Sequence, residues 1–182
     1  LVDRPAKSPP QRPHAHLAIC PYPEEYTETI RLPDGTPVHL RAIKPEDEPV
    51  WQDLIRRSST ESLWKRFHYL FKEATHEMAA RFCFVDYDRE LALCAEVMRD
   101  EQPPLLVAVA RLVADPDHDE GEYGVHVADD FQHRGLGSLL TATCIDIGRR
   151  RGLGRVTGET TADNFARIPI FRERKRFVSG KG

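Results

Sequence analysis

A glycine-containing loop, Gln132-His133-Arg134-Gly135-Leu136-Gly137, is the part of the sequence best suited to bind an anion. It follows an apolar segment that ends near Val127 and precedes an amphipathic segment that begins near Gly137-Ser138. The first N–H groups of a helix have no partner within the helix, and the helix dipole attracts negative charge to them. Glycine lets the backbone approach a phosphate closely, and Arg134 adds a positive charge. The pattern predicts a diphosphate site, and a purely structural turn is the simpler alternative.

Two common phosphate motifs do not fit this loop. No Gly-Lys-Ser/Thr follows it, which excludes a Walker loop, and the G-x-G-x-x-G pattern of dinucleotide-binding proteins is incomplete. The composition sets further limits. The chain has 182 residues, 40% hydrophobic and 30% charged, with a formal net charge of −3. This balance is typical of one soluble domain and argues against non-specific nucleic-acid binding. No apolar run is long enough to span a membrane and no signal peptide is visible, so we expect a cytoplasmic protein.

The residues that most often bind metals are not arranged for a metal site. The four cysteines, Cys20, Cys83, Cys94 and Cys144, are far apart and show no C-x-x-C spacing. His14-Ala15-His16 lies in a proline-rich segment with no further ligand nearby. We therefore predict that the protein binds no metal.

The remaining segments predict an α+β domain that positions the loop. Asp34-Gly35 lies between two extended runs and indicates a hairpin. Pro45, Ser59 and Thr75 each precede an apolar-periodic segment, as expected at the start of a helix. Further strands are predicted at residues 91–97, 105–113 and 122–127, then a helix that Gly152 ends, and a strand at residues 155–160. We expect residues 28–182 to form this domain and residues 1–27 to be a proline-rich linker or arm.

The loop resembles a known family once its neighbours are included. Gln132-x-x-Gly135-x-Gly137 after "VHVADDF" resembles the acyl-coenzyme A loop of the GNAT N-acetyltransferase superfamily, and "TTADN" resembles its second coenzyme A contact. The resemblance implies the GNAT fold, a mixed and mostly antiparallel central sheet flanked by helices. It also implies acetyl-CoA as co-substrate. The implied coenzyme A contacts are Val125, Val127, Gln132, His133, Arg134, Gly135, Gly137, Ser138, Asn164 and Phe171.

A narrower resemblance concerns the acceptor. "VHLRAIKPEDEP", "TESLWKRF" and "RFCFVDYDRELAL" resemble the acetyltransferase domain of bacterial Pat-type protein lysine acetyltransferases. "HLAICPYPEEY" resembles the junction that follows an acyl-CoA synthetase-like region in some of them. The resemblance implies a protein lysine acceptor, for example on an acyl-CoA synthetase. Two alternatives stay open: an acetyltransferase for small-molecule amines, and a coenzyme A-binding regulatory module without catalysis.

The family resemblance also implies the catalytic residues. A lysine ammonium has a pKa near 10.4 and must lose a proton before it attacks a thioester. Glu122 matches the family's glutamate base, and His126 is a second candidate whose pKa we expect nearer neutrality. The alternatives are a solvated Glu122 and a packed His126. An ideal strand places both residues on one face and Val125 and Val127 on the other. A backbone N–H near Val127 would stabilise the oxyanion.

The sequence after Asn164 departs from the family pattern. Pro169 would interrupt a helix interior, and the stretch that should supply a tyrosine general acid offers Phe171 instead. No sequence that matches the family's last two strands follows. We therefore expect those C-terminal strands to be missing and the strand at residues 155–160 to have an open edge.

Overall fold

A computed structural model describes residues 20–68 and 73–158, which form one central sheet with helices on both faces. The strands lie in the order β1-β2-β3-β4-β5-β6 across the sheet. They are β1 (Glu28–Arg31), β2 (Pro37–Ala42), β3 (Glu90–Arg99), β4 (Gln102–Ala114), β5 (Glu120–Val127) and β6 (Arg155–Gly158). The helices are α1 (Glu48–Arg57), α2 (Thr60–Phe67), α3 (His76–Cys83) and α4 (Leu136–Arg150).

The helices begin where the sequence predicts. Ser59 Oγ accepts a hydrogen bond from the N–H of Ser62 at 3.2 Å, and Thr75 Oγ1 accepts one from the N–H of Met78 at 3.2 Å. These bonds satisfy donors that the first turns of α2 and α3 leave without a partner. Pro45 opens a short 3₁₀ turn that leads into α1.

The sheet is antiparallel except at one pair of strands. β1 to β5 pair antiparallel in chain order, and β6 pairs parallel with β5. This mixed and mostly antiparallel arrangement confirms the predicted α+β fold class. The β3–β4 connection is tighter than expected, because the turn is at Asp100-Glu101 and Pro103 and Pro104 already lie in β4. Glu101 adopts a φ of 54°, which permits this tight reversal.

Successive residues of β5 show how the layers are arranged. Tyr123 donates or accepts a 2.8 Å hydrogen bond with Thr141 on α4, whereas Gly124 lies under the side chain of Arg66 on α2. Since neighbouring strand residues point to opposite faces, α4 packs on one face of the sheet and α2 on the other. The buried core lies between these layers and includes Leu54, Leu93 and Leu140.

The segment before β1 packs on the domain. Tyr22 donates from its hydroxyl to the C=O of Ala42 at 2.8 Å, and its ring meets the ring of Tyr87 edge-on at a centroid distance of 6.0 Å. Our predictions for residues 1–19, Asn164, Pro169, Phe171 and the chain end lie outside the described residues. In the part of the chain that the structure covers, no helix has the length and apolarity to cross a membrane.

Candidate functional site

The loop between β5 and α4, residues 132–138, is called the donor loop here because of its predicted role. His133 and Gly135 both adopt left-handed conformations, with φ of 60° and 86°. Gly135 is the N-cap of α4, and the first helical hydrogen bond runs from the N–H of Leu139 to the C=O of Gly135 at 3.0 Å. In the described chain no side chain caps this end. The preceding N–H groups of α4 are therefore available to an anion.

The two glycines of the donor loop serve different needs. At Gly135 a side chain would meet only Pro33, at 3.7 Å, but the positive φ is strained for any residue with a Cβ. At Gly137 the backbone is ordinary, and a Cβ would make a normal 3.7 Å contact with Val127. Gly135 is thus required by backbone conformation, whereas the fold itself tolerates a small side chain at position 137.

Among the described residues, one edge of β5 is open beside the donor loop. The N–H of Ala128 donates to Val107 on β4 at 2.8 Å, and residues of an antiparallel strand face alternate sides. The backbone groups of Val125 and Val127 consequently face away from β4. On that side, within the described chain, β6 pairs only with Glu120–Tyr123. Apart from the C=O of Val127, which accepts from Gln132, these groups can therefore pair with an extended ligand. The family resemblance implies that this ligand is the arm of coenzyme A.

Polar contacts to α2 hold the donor loop in place. Gln132 donates from Nε2 to Ser62 Oγ at 2.8 Å and to the C=O of Val127 at 3.1 Å. The carboxylate of Asp129 accepts from the N–H of Ser59 at 2.7 Å and from the hydroxyls of Ser59 and Ser62 at 2.8 and 2.6 Å. These hydrogen bonds hold the pKa of Asp129 below its usual value despite its partial burial. The Gln132 side chain thus shapes the loop from within.

Arg134 anchors the other side of the donor loop. Its guanidinium donates to Asp34 Oδ2 at 2.8 Å and to Thr36 Oγ1 at 2.7 Å, and it lies 4.5 Å from the ring centroid of Phe131. Asp34 therefore offsets part of the positive charge that we expected at the loop. His133 is exposed, and Ser138 lies half-buried in the first turn of α4.

The face of β5 that α2 covers carries the two candidate bases. β4 and β5 pair without a register shift, so Glu122, Gly124 and His126 share the face that α2 covers, as predicted. Glu122 is exposed at the rim of this face, whereas His126 is buried beneath α1 and α2. The structure thus brings both candidates to one face but leaves only Glu122 open to solvent.

His126 is held neutral by its surroundings. Its Nε2 lies 2.7 Å from Ser58 Oγ, and that hydroxyl donates its proton to the C=O of Leu54 at 2.8 Å. Since the hydroxyl has one proton, Nε2 must be the donor to Ser58. Burial, assisted by the charge of Arg66, lowers the pKa of His126 to about 4. This differs from the expected value near neutrality and makes His126 a weak proton acceptor.

A small cleft, partly open to solvent, lies between this face of the sheet and helices α1, α2 and α3. Its lining is aromatic, aliphatic and cationic: Trp51, Leu54, Ile55, Arg66, Phe67, Phe82, Val109, Arg111 and His126. The rings of Trp51 and Phe82 stack at 5.0 Å. We refer to it as the cleft.

Sequence reasoning singled out His126 but missed both arginines of the cleft. One signal was available. Arg66 stands three residues after Leu63 and one before Phe67, so a cation lies on the apolar face of α2. Arg111 alternates along β4 with the buried residues Ala110 and Leu112, which point to the other face of the sheet. Nothing in the sequence indicated that helices cover the face to which Arg111 points.

The described residues contain no group of three or more His, Cys, Asp or Glu side chains that could hold a metal ion. The polar groups that the site offers are backbone N–H groups, one exposed carboxylate, a neutral imidazole and two guanidinium groups. Such groups can bind an anion, accept a proton and stabilise developing negative charge.

Comparison with known proteins identifies the same fold and family features. The family model described as "Acetyltransferase (GNAT) family" matches residues 51–175. An acetyltransferase from Pseudomonas aeruginosa is 30% identical over 135 residues, which are 74% of this chain and 72% of the relative.

Solved structures agree. The GNAT domain of PAT from S. lividans superposes with a TM-score of 0.72 at 24% identity, covering 84% of this chain and 89% of that one. A ribosomal L7/L12 alpha-N-protein acetyltransferase in complex with coenzyme A gives a TM-score of 0.61 at 16% identity, covering 80% and 82%. At these identities the two structures establish a shared fold.

Proposed function

Because the chain belongs to the GNAT acetyltransferase family, we propose that it transfers the acetyl group of acetyl-CoA to the side-chain amine of a protein lysine. The observation that carries the proposal concerns the described residues, in which the edge of β5 at Val125 and Val127 is open beside the uncapped start of α4. A strand edge and a row of free N–H groups meet there, and they suit a ligand with an extended polar arm and a diphosphate.

The donor loop fits coenzyme A in its chemistry. The N–H groups that precede Leu139 would bind the diphosphate, since they lie at the positive end of the α4 dipole. The backbone of Val125 and Val127 would pair with the amide-containing arm. Bound acetyl-CoA supplies an activated acyl group. Its leaving group is a thiolate, and the pKa of the corresponding thiol is low enough for the thiolate to depart near neutral pH.

Glu122 is the proposed general base. Its exposed carboxylate can accept a proton, directly or through water, from an ammonium that enters at the rim of the cleft. His126 stays a second candidate, but its pKa of about 4 leaves little driving force for taking a proton from an amine. A backbone N–H near Val127 would stabilise the negative charge that develops on the acyl oxygen.

The proposed acceptor is a lysine on a folded protein in the cytoplasm, such as an acyl-CoA synthetase. Support comes from the Pat-like sequence segments and from the exposed position of Glu122, which a surface lysine can reach. The structural likeness to the GNAT domain of S. lividans PAT is consistent with this proposal.

Calorimetric titration with acetyl-CoA, followed by mass spectrometry of candidate acceptor proteins, tests the proposal. We expect saturable binding and a mass gain of one acetyl group on lysine. Polyamines and free amino acids are assayed in parallel, and exclusive turnover with them would replace the protein acceptor by a small amine. Binding without turnover on any acceptor would instead indicate a regulatory module, and absence of binding would refute the proposed donor.

A further inference from the structure

Arg66 is a charged side chain for which the described chain provides no counter-ion. It extends from α2 across β5, so close that a Cβ built on Gly124 would lie 2.8 Å from its guanidinium carbon. Among the residues that the structure covers, it forms no ion pair or hydrogen bond. Its guanidinium carbon lies 5.3 Å from the ring centroid of its neighbour Phe67, a cation–π contact. Burial lowers its pKa below the ordinary value.

Other partly buried arginines of the domain are paired. Arg41 donates to Asp47 at 2.6 and 2.8 Å and also binds Glu96. Arg111 binds Glu90 and donates to the C=O of Phe82 at 3.1 Å. Leaving a buried guanidinium without a partner is costly, because its charge loses contact with water and gains nothing in exchange. Among the residues that the structure describes, Arg66 lacks such acceptors, and a bound anion would supply them.

The surroundings of Arg66 favour an anion of small size. Arg111 lines the same cleft and adds positive potential, which raises the cost of leaving Arg66 unpaired. The negative charge of Glu122 acts on Arg66. Glu122 is exposed at the rim, however, and forms no ion pair with Arg66 in the described structure. The aromatic side chains of Trp51 and Phe82 line the cleft, and an ion pair beside such apolar groups is stronger than one in bulk water.

The guanidinium of Arg66 lies close to the reactive edge of β5. With a Cα–Cβ bond of about 1.5 Å, a 2.8 Å separation from the built Cβ of Gly124, and about 3.8 Å between successive Cα atoms, its central carbon is within about 8 Å of Cα of Val125. Val125 belongs to the edge proposed to hold the acyl donor. A carboxylate about two to four bonds from the reacting carbon or amine could therefore reach Arg66.

We propose that Arg66, supported by Arg111, forms a subsite in the cleft that binds a carboxylate of the substrate beside the reacting centre. The carboxylate belongs either to the acyl group, as in a dicarboxylic acyl-CoA, or to a small amine acceptor, which would then replace the proposed protein lysine. The inference rests on the proposed acyl transfer and deepens it, because it names the charge that the site selects. Arg66 binds the ligand through paired N–H donors, for which a guanidinium is suited.

Matched donors test the acyl source. Succinyl-CoA and butyryl-CoA have acyl chains that differ by a carboxylate in place of a methyl group. If the donor carries the anion, the wild-type protein binds succinyl-CoA about 10- to 100-fold more tightly than butyryl-CoA in calorimetry, as expected for a desolvated charged hydrogen bond. Arg66→Met removes this preference and leaves the affinity for acetyl-CoA within about twofold.

Matched acceptors test the other source. With acetyl-CoA as donor, β-alanine and its amide are compared by kcat/KM, since one carries a carboxylate and the other does not. If the acceptor carries the anion, wild type favours β-alanine by about 10- to 100-fold relative to Arg66→Met. Lys65→Met is the matched control, because Lys65 is the exposed neighbour on α2 and pairs with Glu61 at 2.5 Å.

Thermal melts with millimolar succinate report on Arg66 independently of coenzyme A. A rise in Tm in wild type and Lys65→Met, absent in Arg66→Met, supports the subsite. If Arg66→Met fails to fold, the wild-type ratios and Arg66→Lys, which keeps the charge without the fork, are measured instead. Equal treatment of charged and neutral partners in both arms, with no succinate shift, overturns the inference. Failure of every coenzyme A ester to bind overturns the proposed function alone, and succinate still tests Arg66.

Discussion

The donor loop and the cleft both border β5 but are built from different parts. The donor loop presents backbone N–H groups, and its shape depends on the left-handed conformation of Gly135. The cleft presents side chains from three helices and two strands, among them Arg66 and His126. The donor loop therefore depends on chain conformation, whereas the charge of the cleft depends on side-chain identity.

This contrast predicts that substitutions in the two regions affect different quantities, the affinity for acetyl-CoA in one region and turnover or charge preference in the other. A change of backbone conformation in the donor loop should alter affinity for acetyl-CoA for every acceptor. A change on the cleft face should alter turnover, charge preference or pH response while affinity for acetyl-CoA is kept. The following variants test that separation, from the largest expected effect to the smallest.

Glu122→Gln should give the largest effect. Loss of a positioned base lowers turnover by about 10²- to 10⁴-fold, while the Kd for acetyl-CoA stays unchanged because the carboxylate belongs neither to the donor loop nor to the backbone edge at Val125 and Val127. Steady-state kinetics and calorimetry measure the two quantities. Glu120→Gln, two residues earlier on β5 and paired with Arg155 at 2.5 Å, is the control. A change confined to Kd would remove the proposed separation.

His126 should make stability depend on pH. Its pKa of about 4 in the folded protein lies below the ordinary value of about 6.5, so the unfolded chain binds a proton first as the pH falls. The free energy of unfolding is therefore highest above pH 6.5 and falls by about 3 kcal/mol in total between about pH 6.5 and 4. Urea denaturation at several pH values measures it. His126→Gln should flatten the profile, and His133→Gln, which removes an exposed histidine of the donor loop, should not.

Gly135→Ala should weaken acetyl-CoA binding about tenfold. A Cβ at a φ of 86° costs about 1–2 kcal/mol and displaces the donor loop. Gly137→Ala is the matched control, since its Cβ would make an ordinary contact with Val127. Calorimetry with both variants decides the point, and equal losses would show that close approach to the ligand, not backbone conformation, is what glycine provides here.

Asp129→Asn should have the smallest effect, a loss of about 1 kcal/mol in the free energy of unfolding. The carboxylate accepts three hydrogen bonds from the start of α2, and an amide can accept fewer. Thermal denaturation measures the loss. Asp130→Asn, its exposed neighbour, is the control. A large fall in acetyl-CoA affinity would show that the link to α2 also sets the shape of the donor loop.

The fold and the donor loop could be predicted because their signals are local. Ser59 and Thr75 mark helix starts by their own chemistry. The glycines of the donor loop indicated a turn before a helix near Gly137-Ser138, and α4 begins at Leu136. The pairing of Arg134 with Asp34 could not be predicted, since it joins residues 100 positions apart.

The same reason limited prediction of the cleft. The pKa of His126 depends on burial under α1 and α2, which only packing determines. Ser58 and Arg66 lie far from β5 in the sequence, and no local pattern indicates that they contact it. The alternation along β5 was predictable, and it correctly placed Glu122 and His126 together.

The anchoring of the donor loop has a consequence for the order of folding. Its contacts with Ser59 and Ser62 close chain segments of 70 and 67 residues, and its contact with Asp34 closes one of 100. Closing long segments costs more entropy than forming local turns, so such contacts form late. We expect hydrogen exchange during refolding to protect α1 and the β3–β4 hairpin before the donor loop. The ability to bind acetyl-CoA would then be the last property that the domain acquires as it folds.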